Sequence, residues 1–218
     1  MKRFVLVGLG NFGGALAEAL YAQQHDVVVV DVNEDAVERI ASRVTRAVVG
    51  DGRSADVLDR VGAREADAAV VSTGDDITAS ILATMALRDL GVREVYVKVV
   101  SADHARVMEK IGVTETIFPE RDSALRLATR LSSAAILNYF RLGPDFSIQE
   151  MAVPTPWIGR CLRELALRER FSISVIAMHD VLTDEMIPVP DPDAPLKESD
   201  TLLVAGRDQD LARAAKLT

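Results

Sequence analysis

The sequence predicts an α/β fold, in which a doubly wound parallel sheet is followed by a small α+β domain. Short valine-rich runs alternate with stretches of helical periodicity, as expected when parallel strands are buried on both faces. A glycine-rich loop, Gly8 to Gly13, separates the first such run from the first helical stretch. The alternation stops at Gly143-Pro144, a pair typical of helix ends. We therefore predict one domain over residues 1–143 and a second over residues 144–218.

The first domain contains short apolar runs that we interpret as the strands of one sheet. They cover residues 4–7, 27–32, 46–49, 68–72, 94–99 and 116–118. The helical stretches between them, one of which has Ile77, Ile81 and Met85 on one side, imply right-handed crossovers between parallel strands. Six strands are the number found in a Rossmann sheet, so we expect a Rossmann-like domain.

A long helix is predicted over residues 121–142, because apolar side chains recur along one side of it up to the stop at Gly143. Beyond it the pattern indicates shorter elements. Strands are predicted at residues 147–153, 172–178 and 201–205, and helices at 160–167 and 208–217. The segment 188–195 is rich in Pro and Asp and is predicted to be a loop.

Composition limits the classes of function. The chain has 218 residues, of which 49% are hydrophobic, and a net charge of −8, which argues against binding to nucleic acid or to anionic lipid. No apolar run reaches the roughly 18 residues that span a bilayer, and Met1-Lys2-Arg3 leads directly into a strand without a signal-peptide pattern. The single cysteine, Cys161, excludes an internal disulfide and fits a reducing compartment. We expect a cytoplasmic protein.

The glycine loop predicts a nucleotide site. Gly8 permits a tight turn, Gly10 lets backbone N–H groups approach a diphosphate, and Gly13 lets the helix pack on the strand. The N-terminus of the following helix favours phosphate. Asp31 ends the second strand, where a carboxylate accepts from ribose hydroxyls, and an acidic residue there argues against a 2′-phosphate. The motif predicts an adenosine diphosphate group, which ATP, ADP and NAD share.

Residues at other strand ends are predicted to face the same crevice. Asp51 is placed to accept from an adenine amino group, or it precedes a helix capped by Ser54. Gly74 permits close approach of the backbone to a ligand, or forms a turn, and Lys98 is either a phosphate contact or an outward-facing charge. The neighbours of the glycines and of Asp31 complete the predicted set of binding residues, and they are Asn11, Phe12, Val32 and Asn33.

No catalytic arrangement accompanies this site in the sequence. The histidines are interpreted as a turn residue (His25), a residue at the start of a helix (His104) and a turn residue of the second domain (His179). None forms a recognisable dyad, and no HExxH or Tyr-x-x-x-Lys pattern occurs. A nucleotide site without evident chemistry favours a sensor over an enzyme.

Several longer stretches resemble a known family. The stretches are "VGLGNFGGALAEAL", "VVVVDVNEDAVERIA", "AVVGDGRSADVLDRVG", "AAVVSTGDDITASILATMALRDLGV", "VYVKVVSADHARVMEKIGVTETIFPERD", "AAILNYF" and "LRELALRERFSISVIAM". Together they resemble the KtrA/TrkA-type regulators of potassium conductance (RCK proteins), the cytosolic subunits of bacterial Ktr and Trk potassium uptake systems. The likeness covers essentially the whole chain.

The resemblance implies assembly, a partner and a ligand. It implies dimers that form a ring, typically an octamer, on a membrane potassium channel subunit of the KtrB/TrkH type. It implies that ATP and ADP, or alternatively NAD and NADH, bind at the glycine loop and gate the partner. Glu120, in "FPERD", matches a glutamate that binds a divalent cation, Mg²⁺ or Ca²⁺, beside the ATP γ-phosphate; otherwise it is a first-turn helix carboxylate.

Two positions differ from the family pattern. The usual loop reads GLGRFG, and its arginine reaches the γ-phosphate in a neighbouring subunit, whereas this chain has Asn11. The loss weakens ATP/ADP discrimination unless a residue such as Lys98 compensates. In the second domain, Arg168 matches an arginine linked to cyclic di-AMP binding, but Ser174 stands where some relatives have Asn. The alternatives to a gating subunit are an NAD-dependent oxidoreductase and a free-standing nucleotide-binding module.

Overall fold

The computed structural model describes residues 1–132 and 136–216, and these form two compact units, Met1–Glu120 and Arg121–Thr218. Within the described ranges, no helix combines the length and the apolar character that crossing a membrane requires.

The first unit is a parallel sheet with helices between its strands. The strands are β1 Arg3–Val7, β2 Asp26–Asp31, β3 Arg46–Val49, β4 Ala68–Val71, β5 Glu94–Lys98 and β6 Glu115–Ile117. Their order in the sheet is β3-β2-β1-β4-β5-β6. The helices are α1 Asn11–Ala22, α2 Glu34–Ile40, α3 Ala55–Arg60, α4 Ile77–Asp89 and α5 Ala102–Ile111, with short 3₁₀ turns at Ala41–Arg43 and Ala63–Glu65. The order reverses between β1 and β4, where doubly wound sheets bind their ligands.

Both faces of this sheet are buried, which explains the continuous valine runs. In β2, Val28 and Val30 lie in one apolar cluster together with Leu58 of α3, whereas Val27 and Val29 lie in a second cluster on the other face. All four valines are at most 1% exposed. The sheet therefore fixes the positions of its strand ends from both sides.

The second unit contains an antiparallel sheet with the order β10-β9-β11-β8-β7. Its strands are β7 Ile136–Arg141, β8 Phe146–Ala152, β9 Ser174–Asp180, β10 Glu185–Ile187 and β11 Asp200–Arg207. The helices are α6 Pro119–Ser132, which begins in the first unit, α7 Leu162–Leu165, α8 Leu167–Phe171 and α9 Asp208–Ala215, with a 3₁₀ turn at Thr155–Trp157. Leu202, Met151, Trp157 and Leu211 form the centre of its core.

The prediction of a helix up to residue 142 is wrong. The described part of helix α6 runs to Ser132, and β7 pairs with β8 so that Phe140 lies opposite Ile148. Tyr139 and Phe140 in β7 are of types that suit a pleated surface, and pairing with the next strand along the chain, β8, decided between strand and helix. Ala135, part of the predicted apolar stripe, lies outside the described residues. The domain boundary at Gly143 stays a prediction, and β7 lies in the second unit by its hydrogen bonds.

Three smaller predictions of the second domain also change. The predicted helix over residues 160–167 is two short helices, because Ala166 takes a left-handed conformation between them (φ 46°). His179 lies within β9 and not in a turn. The last helix ends at Ala215, with Lys216 as its C-cap, before the predicted end at residue 217, which lies outside the described residues.

Candidate functional site

A cavity of about 430 Å³ lies at the carboxyl ends of β1, β2, β3 and β4. The polar residues and glycines that line it come from the loops after these strands. They are Gly8, Gly10, Asp31, Gly50, Asp51, Gly52, Arg53, Ser72, Thr73, Gly74 and Asp76. Apolar walls come from the strands, from the turn after β2 and from α4, through Val7, Val30, Val32, Ala79 and Ala83. The cavity is at the point where the sheet order reverses, as predicted from the sequence.

The glycine loop has the geometry of a phosphate cradle. Gly8 has φ +97°, and a Cβ on it would lie 2.2 Å from the Ser72 carbonyl oxygen. A Cβ on Gly13 would lie 2.0 Å from the Gly8 carbonyl oxygen, so the α1 helix packs directly on the loop. By contrast, a Cβ on Gly10 would meet no atom within 4 Å. Gly10 precedes α1 without a side-chain cap, which leaves the helix N-terminus open to an anion.

Asp31 connects the glycine loop to the turn after β2. Its Oδ2 accepts the Leu9 backbone N–H at 2.5 Å, and its Oδ1 accepts the Asn33 backbone N–H at 2.8 Å. Asn33 in turn caps α2 by accepting the Ala36 N–H at 3.1 Å. The carboxylate is thus held at the rim of the cavity, with lone pairs left for ribose hydroxyls. Val32, which is 70% exposed, lies beside it.

The loops after β3 and β4, which lie on either side of β2 and β1 in the sheet, complete the cavity lining. Asp51 forms an ion pair with Arg53, with 2.7 Å between Oδ2 and Nη2, and hydrogen bonds from Arg53 hold the pKa of Asp51 below its ordinary value. Gly74 has φ +66° and open space where a Cβ would be. Asp76 caps α4 by accepting the Ala79 N–H at 2.8 Å. The sequence reasoning placed the stretch that ends in Asp76 at this crevice but missed Arg53, for which the signal was a basic residue two positions after Asp51.

The other predicted binding residues lie away from the cavity wall. Asn11 is exposed at the first position of α1, and Phe12 packs against the apolar cluster beneath it. Gly13 supports the loop from behind, as described above. Lys98, at the end of β5, does not line the cavity. Of the predicted set, the structure brings together Gly8, Gly10, Asp31, Val32, Asp51 and Gly74.

Lys98 is instead paired with Glu120. Its Nζ lies 2.6 Å from Glu120 Oε1, and its side chain is only 13% exposed. The hydrogen bond from Lys98 lowers the pKa of Glu120. A divalent cation needs several oxygen ligands, and here Lys98 contacts one oxygen of the Glu120 carboxylate. Within the described ranges, no three His, Cys, Asp or Glu residues form a group that would hold a metal. The residues of one chain therefore do not fit a metal site at Glu120.

The histidines lie away from the cavity. His104 is 2% exposed in α5, and burial lowers its pKa. His179 lies between Glu150 and Asp184, with 3.1 Å from its Nε2 to Asp184 Oδ1, and the hydrogen bond to Asp184 raises the pKa of His179.

The second unit has a cavity of its own, of about 670 Å³. Arg168 lines it, together with Ile173, Ile176 and Pro190. Ser174, the other residue considered for cyclic di-AMP, is partly buried in β9 and is not part of the wall.

The strand order, the open glycine loop and the acidic residue at the end of β2 define a Rossmann-type fold with a candidate nucleotide site. The family is shown by sequence. The TrkA-N domain model matches residues 4–119 and the TrkA-C domain model matches residues 148–218, so the chain belongs to the family of proteins that join these two domains.

Two relatives match over nearly their whole length. Ktr system potassium uptake protein C of Bacillus subtilis is 34% identical, over 99% of this chain and 96% of the relative. Ktr system potassium uptake protein A of Vibrio alginolyticus is 32% identical, over 99% of this chain and 97% of the relative.

Solved structures agree on the fold. The GsuK channel aligns with a TM-score of 0.70 at 20% identity, over 97% of this chain and 38% of the channel chain. The GsuK channel bound to NAD aligns with a TM-score of 0.65, over 99% of this chain and 39% of that one. This chain therefore spans less than half the length of these structural neighbours.

These comparisons confirm the fold class and the family resemblance. They also confirm the predicted function at the level of the family, a regulatory subunit of a potassium transporter. The roles of the individual site residues stay predictions.

Proposed function

We propose that this chain senses an adenine nucleotide, ATP or ADP, and passes its binding state to a membrane potassium channel subunit of the KtrB/TrkH type. The observation that carries the proposal is the cavity in which an open Gly10 adjoins an anchored Asp31 at the reversal of the sheet. NAD or NADH is the alternative ligand, because it contains the same adenosine diphosphate group.

The binding mode follows from the order of the strand ends. A diphosphate on the α1 N-terminus accepts from backbone N–H groups near Gly10, and the adjacent Asp31 accepts from the ribose hydroxyls. The Leu9 N–H bond joins Asp31 to the glycine loop, so a ligand that contacts both tightens one connected element. A nucleotide shifts the equilibrium of the protein only by its difference in affinity between two states. A γ-phosphate or a nicotinamide supplies such a difference.

A non-catalytic role fits the cavity. Its ionisable lining residues, within the described part of the chain, are Asp31, Asp51, Asp76 and Arg53. Each has a structural partner: backbone N–H groups for Asp31 and Asp76, and the Asp51–Arg53 pair for the other two. A general acid or base must lie within hydrogen-bond reach of the proton that it transfers, and the structural contacts of these groups favour positioning a ligand over proton transfer. We propose binding without turnover.

Assembly into a homo-oligomeric ring, by family resemblance an octamer built from dimers, and a location at the inner face of the membrane belong to the proposal. The relatives named as Ktr system proteins support the transporter partner. A divalent cation at Glu120 is not part of the mechanism proposed here, because Lys98 holds that carboxylate. Cyclic di-AMP is a further candidate ligand of the second unit, supported by Arg168 in its cavity.

The test is calorimetric titration of the nucleotide-stripped protein with ATP, ADP and NADH, with and without Mg²⁺. Asp31→Ala removes the carboxylate that accepts hydrogen bonds from the ribose. A hydrogen bond to a charged group contributes about 1.5–3 kcal/mol, so nucleotide affinity should fall by roughly one to two decades. Glu38→Ala removes the same charge from an exposed position on α2 and should bind normally. Unchanged affinity of Asp31→Ala for all three nucleotides would reject the site.

A second measurement concerns the partner. Co-expression with a KtrB/TrkH-type membrane subunit should yield a complex whose stability in detergent changes between ATP and ADP. A protein that binds nucleotide but never co-purifies with such a subunit would be a free-standing module.

A further inference from the structure

Arg53 is held in a fixed orientation at the cavity wall. Its Nε lies 2.9 Å from Asp51 Oδ1 and its Nη2 lies 2.7 Å from Asp51 Oδ2. The guanidinium and the carboxylate thus form a bidentate ion pair. The Arg53 backbone N–H also donates to Oδ1, at 2.9 Å. The Arg53 side chain remains 50% exposed. The guanidinium is therefore fixed along its edge while much of its surface stays accessible.

This pairing changes the role of Asp51. A carboxylate offers about four acceptor sites. Arg53 donates three N–H groups to Asp51, from its backbone, from Nη2 and from Nε, whose single hydrogen is shared between the two oxygens. Most of the acceptor capacity of Asp51 is thus used to hold Arg53, which gives this carboxylate a positioning role.

The sheet order places Arg53 at the base end of a nucleotide. The ends of β1, β2 and β3 are neighbours, with Asp31 of β2 paired in register with Val49 of β3. Adjacent strands are about 4.8 Å apart, so the loop after β3 lies roughly 10 Å to the side of the glycine loop. With the diphosphate at Gly10 and the ribose at Asp31, the base extends towards Arg53.

The charges around Arg53 argue against a phosphate contact. Asp51 neutralises the guanidinium, and the Asp76 carboxylate acts on the same group electrostatically. The three residues carry a net negative charge, which repels phosphate. A neutral purine with an exocyclic amino donor fits these surroundings, and a planar, weakly hydrated guanidinium stacks well on an aromatic ring.

We propose that Arg53, positioned by Asp51, recognises the base by packing its guanidinium plane on the adenine ring. This inference rests on the proposed function of the cavity and assigns its base-recognition residue. Arg53 makes the contact with the ligand, and Asp51 acts through Arg53.

Titration of full-length Arg53→Ala with ADP, UDP and pyrophosphate tests this assignment. We expect ADP affinity to fall about tenfold, a typical cation–π contribution, UDP affinity to fall less, and pyrophosphate affinity to stay unchanged. Arg53→Lys keeps the charge but loses the planar fork, so it should lose nearly as much ADP affinity as Arg53→Ala. Arg60→Ala, an exposed charge change on α3, is the matched control.

Asp51→Asn separates a positioning role from direct contact. It should weaken ADP binding when it is introduced into the wild-type protein. In Arg53→Ala it should have no further effect on ADP affinity, because both changes remove the same contact. An equal loss in both backgrounds would make Asp51 the base contact and overturn the proposal.

The remaining outcomes separate the base-recognition role of Arg53 from the proposed nucleotide-sensing function. Equal loss of ADP and pyrophosphate in Arg53→Ala would show a phosphate contact and reject base recognition. Normal ADP binding by Arg53→Ala, together with loss in Asp31→Ala, would reject the role of Arg53 and leave the proposed function standing. If the wild-type protein binds no nucleotide, the proposed function itself fails.

Discussion

Glycines of one short loop have different functions in this structure. Gly13 has the Gly8 carbonyl where a side chain would begin, whereas Gly10 faces open space. The former is required by packing inside the protein, and the latter leaves room for a ligand. The glycine motif therefore contains both a glycine that the fold requires and a glycine that leaves room for a ligand.

The pair Gly13→Ala and Gly10→Ala should separate these constraints. Gly13→Ala forces a methyl group into the backbone and should destabilise the protein by about 1–3 kcal/mol. Gly10→Ala should cost less than about 1 kcal/mol, but its methyl group lies where the diphosphate would approach, and ADP affinity should fall by roughly tenfold or more. Chemical denaturation and calorimetry measure the two quantities. Normal nucleotide affinity of Gly10→Ala would place the diphosphate elsewhere.

At the scale of elements, helix α5 begins with a buried titratable group. The Ser101 side chain caps the helix by accepting the His104 N–H at 3.1 Å. The His104 ring accepts the Val100 N–H at Nδ1, at 3.5 Å, and within the described residues its Nε2 has no hydrogen-bond partner. Burial lowers the pKa of His104, so the folded state holds this ring neutral.

The sign of the resulting pH dependence follows from linkage. The unfolded chain binds a proton at His104 near pH 6.5, before the folded state does. The neutral ring therefore contributes stability above this pH, and that contribution is lost as the pH falls towards the lowered folded pKa. Compared with His104→Gln, wild-type protein should lose stability on acidification, by at most about 1.4 kcal/mol per pH unit. Thermal unfolding from about pH 8 to about pH 5 measures this. Parallel curves for both proteins would contradict it.

The sequence predicted the first unit better than the second, for physical reasons. In the first unit, buried parallel strands such as β2 are valine runs whose type depends little on their partners. In the second unit, β7 carries a pattern that also fits a helix, and its pairing with β8 decided its structure. The three-residue strand β10 was not predicted, because its pairing with β9 gives little local signal.

The candidate site also contains residues that the local sequence predicts and residues whose positions depend on side-chain contacts. Gly8, Gly10 and Asp31 were predictable because their roles depend on backbone geometry at fixed spacing. Arg53 was not, because its position depends on the ion pair with Asp51. Lys98 and Glu120 were each considered for the ligand, but the structure pairs them with each other.

At the scale of the whole molecule, each unit has its own apolar core. The clusters of the first unit include Leu58, and the cluster of the second includes Leu202; both side chains are fully buried. The single tryptophan, Trp157, lies in the second core, with its ring 5.9 Å from that of Phe171. Its fluorescence therefore reports on the second unit, while circular dichroism reports on both.

We expect the two cores to unfold separately in the full-length protein. Leu202→Ala should lower the stability seen by Trp157 fluorescence by about 2–5 kcal/mol, the usual cost of such a cavity. Leu58→Ala should lower the midpoint of an unfolding transition seen by circular dichroism and leave the midpoint seen by fluorescence unchanged. When the two cores unfold separately, a ligand stabilises only the unit that it binds. ADP should therefore raise the midpoint of the transition affected by Leu58→Ala and leave the fluorescence midpoint unchanged. If Leu58→Ala or ADP shifts the fluorescence midpoint as well, the two cores unfold as one cooperative unit, and nucleotide binding in the first unit is then energetically coupled to the second.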